Sequence, residues 1–261
     1  MKWLYTFPDT KFILTILMLA CALNAFSWGP TGHRVTGWIA EKYLNKKAKR
    51  EIERILGQQS LAMASTWMDE VRSDSTYDYM VDWHWVTIPD GQTYEQAEKN
   101  PNGDVIETIE RMIVQLKSRA LTPEKEAEYL KILIHLVGDL HQPLHVGTGN
   151  DRGGNNVKVQ WFGHDSNLHR VWDSDMIDET KLSYTEFAAS LEAPTESIIN
   201  QWQQTGVREW AYESMSYREA VYAVGNGRLS YRYSYVNFHI VRKRLLQAGV
   251  RLAGILNQIY G

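Results

Sequence analysis

The stretch Ile132-Leu133-Ile134-His135-Leu136-Val137-Gly138-Asp139 places the strongest constraint on how this chain can fold. It lies in an amphipathic run from Pro123 to His141 that reads as a core helix, with proline in its first turn and Pro143 just past its end. A histidine and a carboxylate four residues apart share one helix face. Burying that carboxylate costs on the order of several kcal/mol unless a cation meets it. Zinc suits such donors, being borderline-soft, redox-silent and content with imidazole and carboxylate. A second pair of the same spacing, His169 and Asp173, follows, and His145 can turn back toward the first site after Pro143. Alone, each pair reads as an ion pair.

The rest of the pattern is mostly helical. Helices are expected over Thr31–Leu44, Lys47–Leu56, Leu61–Val71, Asp104–Ala120, Tyr184–Leu191, Pro194–Thr205, Glu209–Val224 and Tyr231–Tyr260. Trp83–Ile88 reads as extended, closed by Pro89-Asp90-Gly91, and Asn100–Asp104 as a turn. A glycine-rich loop over Gly147–Asn156 leads to an alternating strand at Val157–Phe162 and a turn at Gly163-His164-Asp165. The expected class is mainly α: a single-domain multi-helix bundle with a short β-hairpin or extended segment. No repeat or linker divides it.

Residues 1–27 read as a signal peptide, with Lys2 and Lys11, an apolar run from Phe12 to Leu23, and small Ala25 and Ser27. A membrane span needs ~20 apolar residues, and this run ends at Asn24, so no span is expected. Cleavage between Ser27 and Trp28 would give a secreted or periplasmic protein whose one domain covers 28–261. Lipoprotein processing at Cys21 competes, on the pattern Met18-Leu19-Ala20-Cys21, and would leave the Trp28 nitrogen an ordinary amide. With Cys21 the only cysteine, the exported protein would hold no disulfide, which points to a bacterial periplasm or medium. The net charge of −3 implies no broad basic face. A phosphate-handling protein of this kind must supply positive charge locally, by arginines or metal ions.

Other residues carry weaker signals. Asp69 has Arg72 one helical turn later, which also fits a solvated helix end. His84 lies between Trp83 and Trp85, where a packed histidine is the ordinary case. His141 is read as a supporting or packing residue and His164 as turn surface, while His239 is given no ligand role. Tyr231–Tyr235 with Arg228 and Arg232 admit a nucleic-acid platform, but tyrosines at that density are read as core and interface. Arg242-Lys243-Arg244 is read as a solvated helix face.

Taken in order, Trp28-Gly-Pro-Thr-Gly-His33, Thr-Trp-Met-Asp69, His84, His135-Leu-Val-Gly-Asp139-Leu-His-Gln-Pro-Leu-His145, Gly153-Gly154-Asn155 and Asn-Leu-His169-Arg-Val-Trp-Asp173 resemble the single-strand-specific zinc nuclease and 3′-nucleotidase family. That family is distant kin of zinc phospholipase C, with a phospholipase C/nuclease-type trinuclear zinc fold. The match runs from Trp28 to Asp173; the last third offers no motif.

The resemblance implies three Zn²⁺. Asp69, His84, His135 and Asp139 would hold one ion. Trp28, through its α-amino nitrogen and carbonyl, would hold a second with His33 and the shared Asp139. His145, His169 and Asp173 would hold the third. An α-amino group titrates near ~8 and readily loses its proton to a metal. The implied reaction is in-line attack on phosphorus by a zinc-activated water, with Asp69, Asp139 and Arg72 at the catalytic centre and 5′-phosphorylated products. Arg72 would bind the phosphate. Trp85 would stack a base, its alternative being plain core packing, and Asn155 would also touch substrate. Partners are then single-stranded DNA and RNA and 3′-mononucleotides, for a monomer.

Departures from the family pattern stand beside this. Thr87 occupies the place of an acidic residue near the attacking water in fungal members, with Asp90 a candidate substitute. The cysteine-stapled loops are absent, so the second nucleotide site of some members is not carried over. Two other readings keep the metal site: a zinc phospholipase C, and a zinc-sequestering surface protein without catalysis.

Overall fold

The structure, a computed structural model, describes residues 28–261; the expected signal peptide and Cys21 lie outside the described residues. The chain begins with α1 (Pro30–Tyr43), α2 (Lys46–Leu56), and two short helices, α3 (Leu61–Ala64) and α4 (Trp67–Glu70). Two 3₁₀ segments, Val71–Ser73 and Ser75–His84, lead to the two-residue strand β1 (Val86–Thr87). The central pair is α5 (Val105–Ser118) and α6 (Pro123–Leu140). After β2 (Val146–Gly147) come the strands β3 (Lys158–Trp161) and β4 (His164–Asn167). Then follow α7 (Leu168–Arg170), a π-turn at Val171–Asp175, α8 (Met176–Asp178), α9 (Tyr184–Ala189), α10 (Glu196–Gln204), α11 (Val207–Met215), α12 (Arg218–Tyr222), β5 (Arg228–Leu229) and the 30-residue α13 (Tyr231–Tyr260).

Local sequence accounts for the main boundaries. Asn45 caps α2 through Lys47 N and Ala48 N, Asp104 caps α5 through Ile106 N and Glu107 N, and Thr122 caps α6 just before Pro123. Every residue of α6 from Leu130 to Leu140 except Lys131 is buried, so its last turns form the centre of the molecule. One apolar cluster gathers α5, α6 and the C-terminal half of α13; a second gathers α1, the hairpin and the N-terminal half of α13. A single long helix thus closes both halves into one domain. It packs tightly on α1, where a Cβ at Gly249 would come within 2.5 Å of Ile39 and 3.0 Å of the Thr36 carbonyl.

The sheets are small and serve the loops. β1 and β2 pair in parallel, Val86 with Val146 and Thr87 with Gly147, which joins the segment after His84 to the segment after His145. β3 pairs antiparallel with β4 and parallel with β5. The described residues contain no helix long and apolar enough to cross a membrane.

Four expectations need correction. The helix expected over Leu61–Val71 breaks at Ser65 and Thr66, whose hydroxyls bond back to Ala62 O (2.7 Å) and Met63 O (3.3 Å), competing with helical bonding. His84 ends a 3₁₀ helix; the extended stretch starts only at Trp85. His164 and Asp165 open β4, because a two-residue turn at Phe162-Gly163 suffices to reverse the chain. The expected Glu209–Val224 helix is two, α11 and α12.

Two readings of the last helix also change. Arg244 is 0% exposed, so the charge run is solvated only in part: Lys243 is exposed and Arg242 half-buried, while Arg244 points inward. Its guanidinium holds Glu213, Trp210 O, Ser214 Oγ and His141 O, and Arg251 grips the same Glu213 while donating to His141 Nε2. Buried arginines survive there because every donor has an acceptor. Of the tyrosines read as core, only Tyr233 is buried; Tyr231 and Tyr235 face outward.

Candidate metal centre

Asp139 lies on the last turn of α6 at 0% exposure, and three imidazoles surround it. Its oxygens stand 3.2 Å from His33 Nε2, 2.9 Å from His84 Nδ1 and 3.3 Å from His135 Nε2. His135 Nδ1 lies 2.7 Å from Ser65 O, the carbonyl released by the break between α3 and α4. A carbonyl only accepts, so Nδ1 carries the proton and Nε2 presents a lone pair inward. His33 stacks on His135 with ring centroids 3.9 Å apart. It fits only because residue 138 is glycine: a Cβ there would sit 3.0 Å from His33 Nδ1.

A second group is built by the same device. His145 Nδ1 donates to His84 O (2.6 Å) and His169 Nδ1 to Gly153 O (2.6 Å), turning both Nε2 atoms toward Asp173, at 3.7 and 2.9 Å. The π-turn carries Asp173 onto the face of His169, as such bulges often do at functional sites. Gly153 has φ +60°, and any Cβ there would collide with Leu144 O, so the Gly153-Gly154 pair lets the loop close over His169.

Two connections tie the groups together. His84 faces Asp139 with its ring and His145 with its carbonyl. Buried Gln142 donates to the Asp173 carboxylate and accepts from Leu144 N (2.5 Å), while its backbone bridges Asp139 O and His145 N. Trp28, wholly buried, packs against Gly32 beside His33, and the next amide, Gly29 N, bonds Asp173 O at 2.8 Å.

The electrostatics keep the carboxylates charged and two of the imidazoles neutral, the forms in which such groups can bind a cation. Burial opposes the charged form of Asp139, yet His135 and His145 outweigh it and hold its pKa well below the ordinary carboxylate range. Asp69 follows the same pattern, with burial offset by His135, His33 and His84. Burial lowers His33 and His84 despite the neighbouring carboxylates, so both favour the neutral form. For His145 burial is overcome by Asp139 and Asp173, and its pKa rises to about 9. His141, by contrast, is held neutral by burial and by Arg244 and Arg251, and bonds Val137 O rather than the site.

One carboxylate facing three imidazoles exceeds what an ion pair requires. The donors form three sets whose ligand atoms lie within 4.8 Å of one another: His33, His135 and Asp139; Asp69, His84 and His135; His145, His169 and Asp173. Nitrogen lone pairs and carboxylates aimed inward, with backbone acceptors on the far ring nitrogens, fit a metal such as zinc.

A cavity opens beside the second set, lined among others by Trp85, Thr87, Arg152, Gly153, Asn155 and His169. Trp85 is half-buried at its wall, and the Asn155 amide bonds Arg152 O (2.9 Å). Arg72 lies outside that wall, with Nη1 3.6 Å from Asp69 Oδ1. Asp90 pairs with Arg218 (2.6 Å), whose guanidinium also holds Ile88 O, Val146 O and Gly147 O, so Asp90 stabilises the two-stranded sheet and does not line this cavity. Sequence reasoning missed Gln142 and Arg152. The available signals were a polar residue between two ligand positions and the one basic residue in the glycine-rich loop.

Comparison with known proteins agrees with this geometry. The S1/P1 Nuclease family matches residues 28–261. The chain belongs to the S1/P1 nuclease family. Within it, Endonuclease 2 of Arabidopsis thaliana is 29% identical over 95% of this chain and 96% of its own length, and Endonuclease 4 of the same plant is 30% identical over 94% and 93%. Nuclease P1 of Penicillium citrinum is 31% identical over 57% of this chain and 58% of its own.

The His145 pKa gives a testable pH dependence. Below pH about 9 the metal-free protein keeps a proton on His145, and a metal must displace it. Zinc affinity measured against a competing chelator is expected to weaken as pH falls, by about tenfold per unit for one displaced proton. An affinity independent of pH across the neutral range would contradict the assignment.

Proposed function

We propose that this chain is a zinc-dependent endonuclease that hydrolyses phosphodiester bonds of single-stranded DNA and RNA to 5′-phosphorylated products and also removes 3′-phosphates. The observation that carries this reading is the arrangement of three His/Asp sets, joined through His84 and Gln142, next to an aromatic-walled cavity. In this reading Asp69, His84, His135 and Asp139 hold one zinc, Trp28, His33 and Asp139 a second, and His145, His169 and Asp173 a third. When bound, zinc supplies an activated water and a positive field for phosphate.

The chain's own residues do the rest. Arg72, held beside Asp69, receives the equatorial charge of the phosphate, where a guanidinium can bond two oxygens at once. Asp139 keeps His33, His84 and His135 converged, and Gln142 fixes the rotamer of Asp173. Trp85 offers a face for one base, and Asn155 an amide in the lining of the same cavity. Stacking is worth ~1–3 kcal/mol per base and tolerates any sequence. A duplex hides its base faces, which gives a physical reason for single-strand preference.

The nitrogen of Trp28 can serve as a ligand only as a free amine, so the reading includes a signal peptide removed between Ser27 and Trp28 and a secreted or periplasmic monomer. The test is to incubate protein beginning at Trp28 with single-stranded DNA, RNA, a 3′-mononucleotide and phosphatidylcholine. Cleavage of the nucleic acids and release of 3′-phosphate are expected; lipid cleavage alone would replace the nuclease with a phospholipase. A second preparation that retains Ser27 before Trp28 is expected to lose at least about tenfold in kcat/KM, because an amide nitrogen is a far poorer ligand than an amine. Equal activity of the two preparations would remove Trp28 from the ligand set.

A further inference from the structure

The last 34 residues, Arg228–Gly261, contain six arginines and lysines and no acidic residue, in a chain of net charge −3. Arg244 and Arg251 are consumed in the buried Glu213 network, whereas Arg228, Arg232 and Lys243 are exposed. Two of the aromatic residues of this segment are exposed as well. Tyr231 is 77% exposed and Tyr235 88%, one helical turn apart on α13, with Val236 beside them at 48%. Residues so spaced share a face about 6 Å apart along the axis. Neither belongs to the core, since Tyr233 between them turns inward to pack there.

A second element extends the surface. Phe162 sits at the tip of the β3–β4 hairpin with φ +50°, followed by Gly163 at φ +85°. Such a two-residue turn favours Asn or Gly at its first position, and an aromatic there is strained. Its ring meets Tyr231 edge-on, with centroids 4.7 Å apart. The hairpin and α13 are joined through β5, which pairs with β3. The same turn of α13 is fastened behind the metal centre: Trp172, between His169 and Asp173, donates its Nε1–H to Tyr233 OH at 2.8 Å.

We propose that Tyr231, Tyr235 and Phe162, with Arg228, Arg232 and Lys243, form a surface that binds single-stranded nucleic acid outside the catalytic centre. Bases stack on the tyrosines and the basic side chains meet the phosphates, the combination that holds single strands without reading sequence. The surface would retain the length of strand that leaves the cavity. The inference rests on the nuclease reading and adds to it a dependence on substrate length.

The test compares the metal-loaded enzyme with two variants, Tyr231→Ala/Tyr235→Ala and Arg228→Gln/Arg232→Gln, on a dinucleotide and on a strand of about 30 nucleotides. Both variants are expected to keep kcat/KM on the dinucleotide, which also verifies their folding, and to raise KM on the long strand by about tenfold, with a weaker salt dependence for the arginine variant. Variants that match the wild type on both substrates would overturn the surface alone. A wild type that cuts neither substrate would overturn the nuclease reading and this inference with it. Sedimentation of the wild type with phosphatidylglycerol vesicles, together with unchanged long-strand KM in the variants, would assign the face to a lipid surface instead.

Discussion

The structure depends on a carboxylate buried where an apolar side chain would normally be. Asp139 is 0% exposed, on a helix whose residues from Ile132 to Leu140 are all buried. Its desolvation must therefore be met from within. Three imidazoles converge on it, two of them held neutral by their own burial, and the remaining imbalance is what a divalent cation fits.

Much of the surrounding architecture serves that convergence. The break between α3 and α4 frees Ser65 O to orient His135, and glycine at 138 makes room for His33. The parallel pairing of β1 with β2 holds His84 against His145, and Arg218 fastens that pairing by bonding three of its carbonyls. On the far side of α6, Ser214 Oγ donates to Leu140 O and Arg244 to His141 O. Positive charge at a helix C-terminus is favourable, so the buried arginine network steadies the turn that presents Asp139. The geometry of these histidine and aspartate side chains is also backed by interactions that never touch them.

The legible parts of the sequence were those governed by local periodicity and by residue type. The boundaries of α6 and α13 follow from Pro123, Pro143 and the long amphipathic run, and the His135–Asp139 pair declares itself by its place in an apolar helix. The break at Ser65 was hidden, because two hydroxyl side chains bonding backward look like ordinary helix residues until tertiary contacts claim the freed carbonyl. The β1–β2 pairing was hidden too, since strands of two residues carry no alternation. Arg244 was misread as solvated for a related reason: a cation in a charge run looks the same whether its acceptors are water or a distant glutamate. The role of Gln142 depends on Asp173, 31 residues away, and no spacing rule announces it.

If the buried carboxylates and imidazoles are built around metal, much of the binding free energy is also folding free energy. The most direct measurement is the thermal unfolding midpoint of the protein purified with zinc, before and after exhaustive chelation and after zinc is restored. The account predicts a fall of roughly ten degrees or more on chelation, the size expected when several kcal/mol of ligand binding to the native state are removed, and recovery on re-addition. A midpoint indifferent to chelation and to added zinc would contradict it, leaving Asp139 as one member of a buried ion-pair cluster and no metal centre at all.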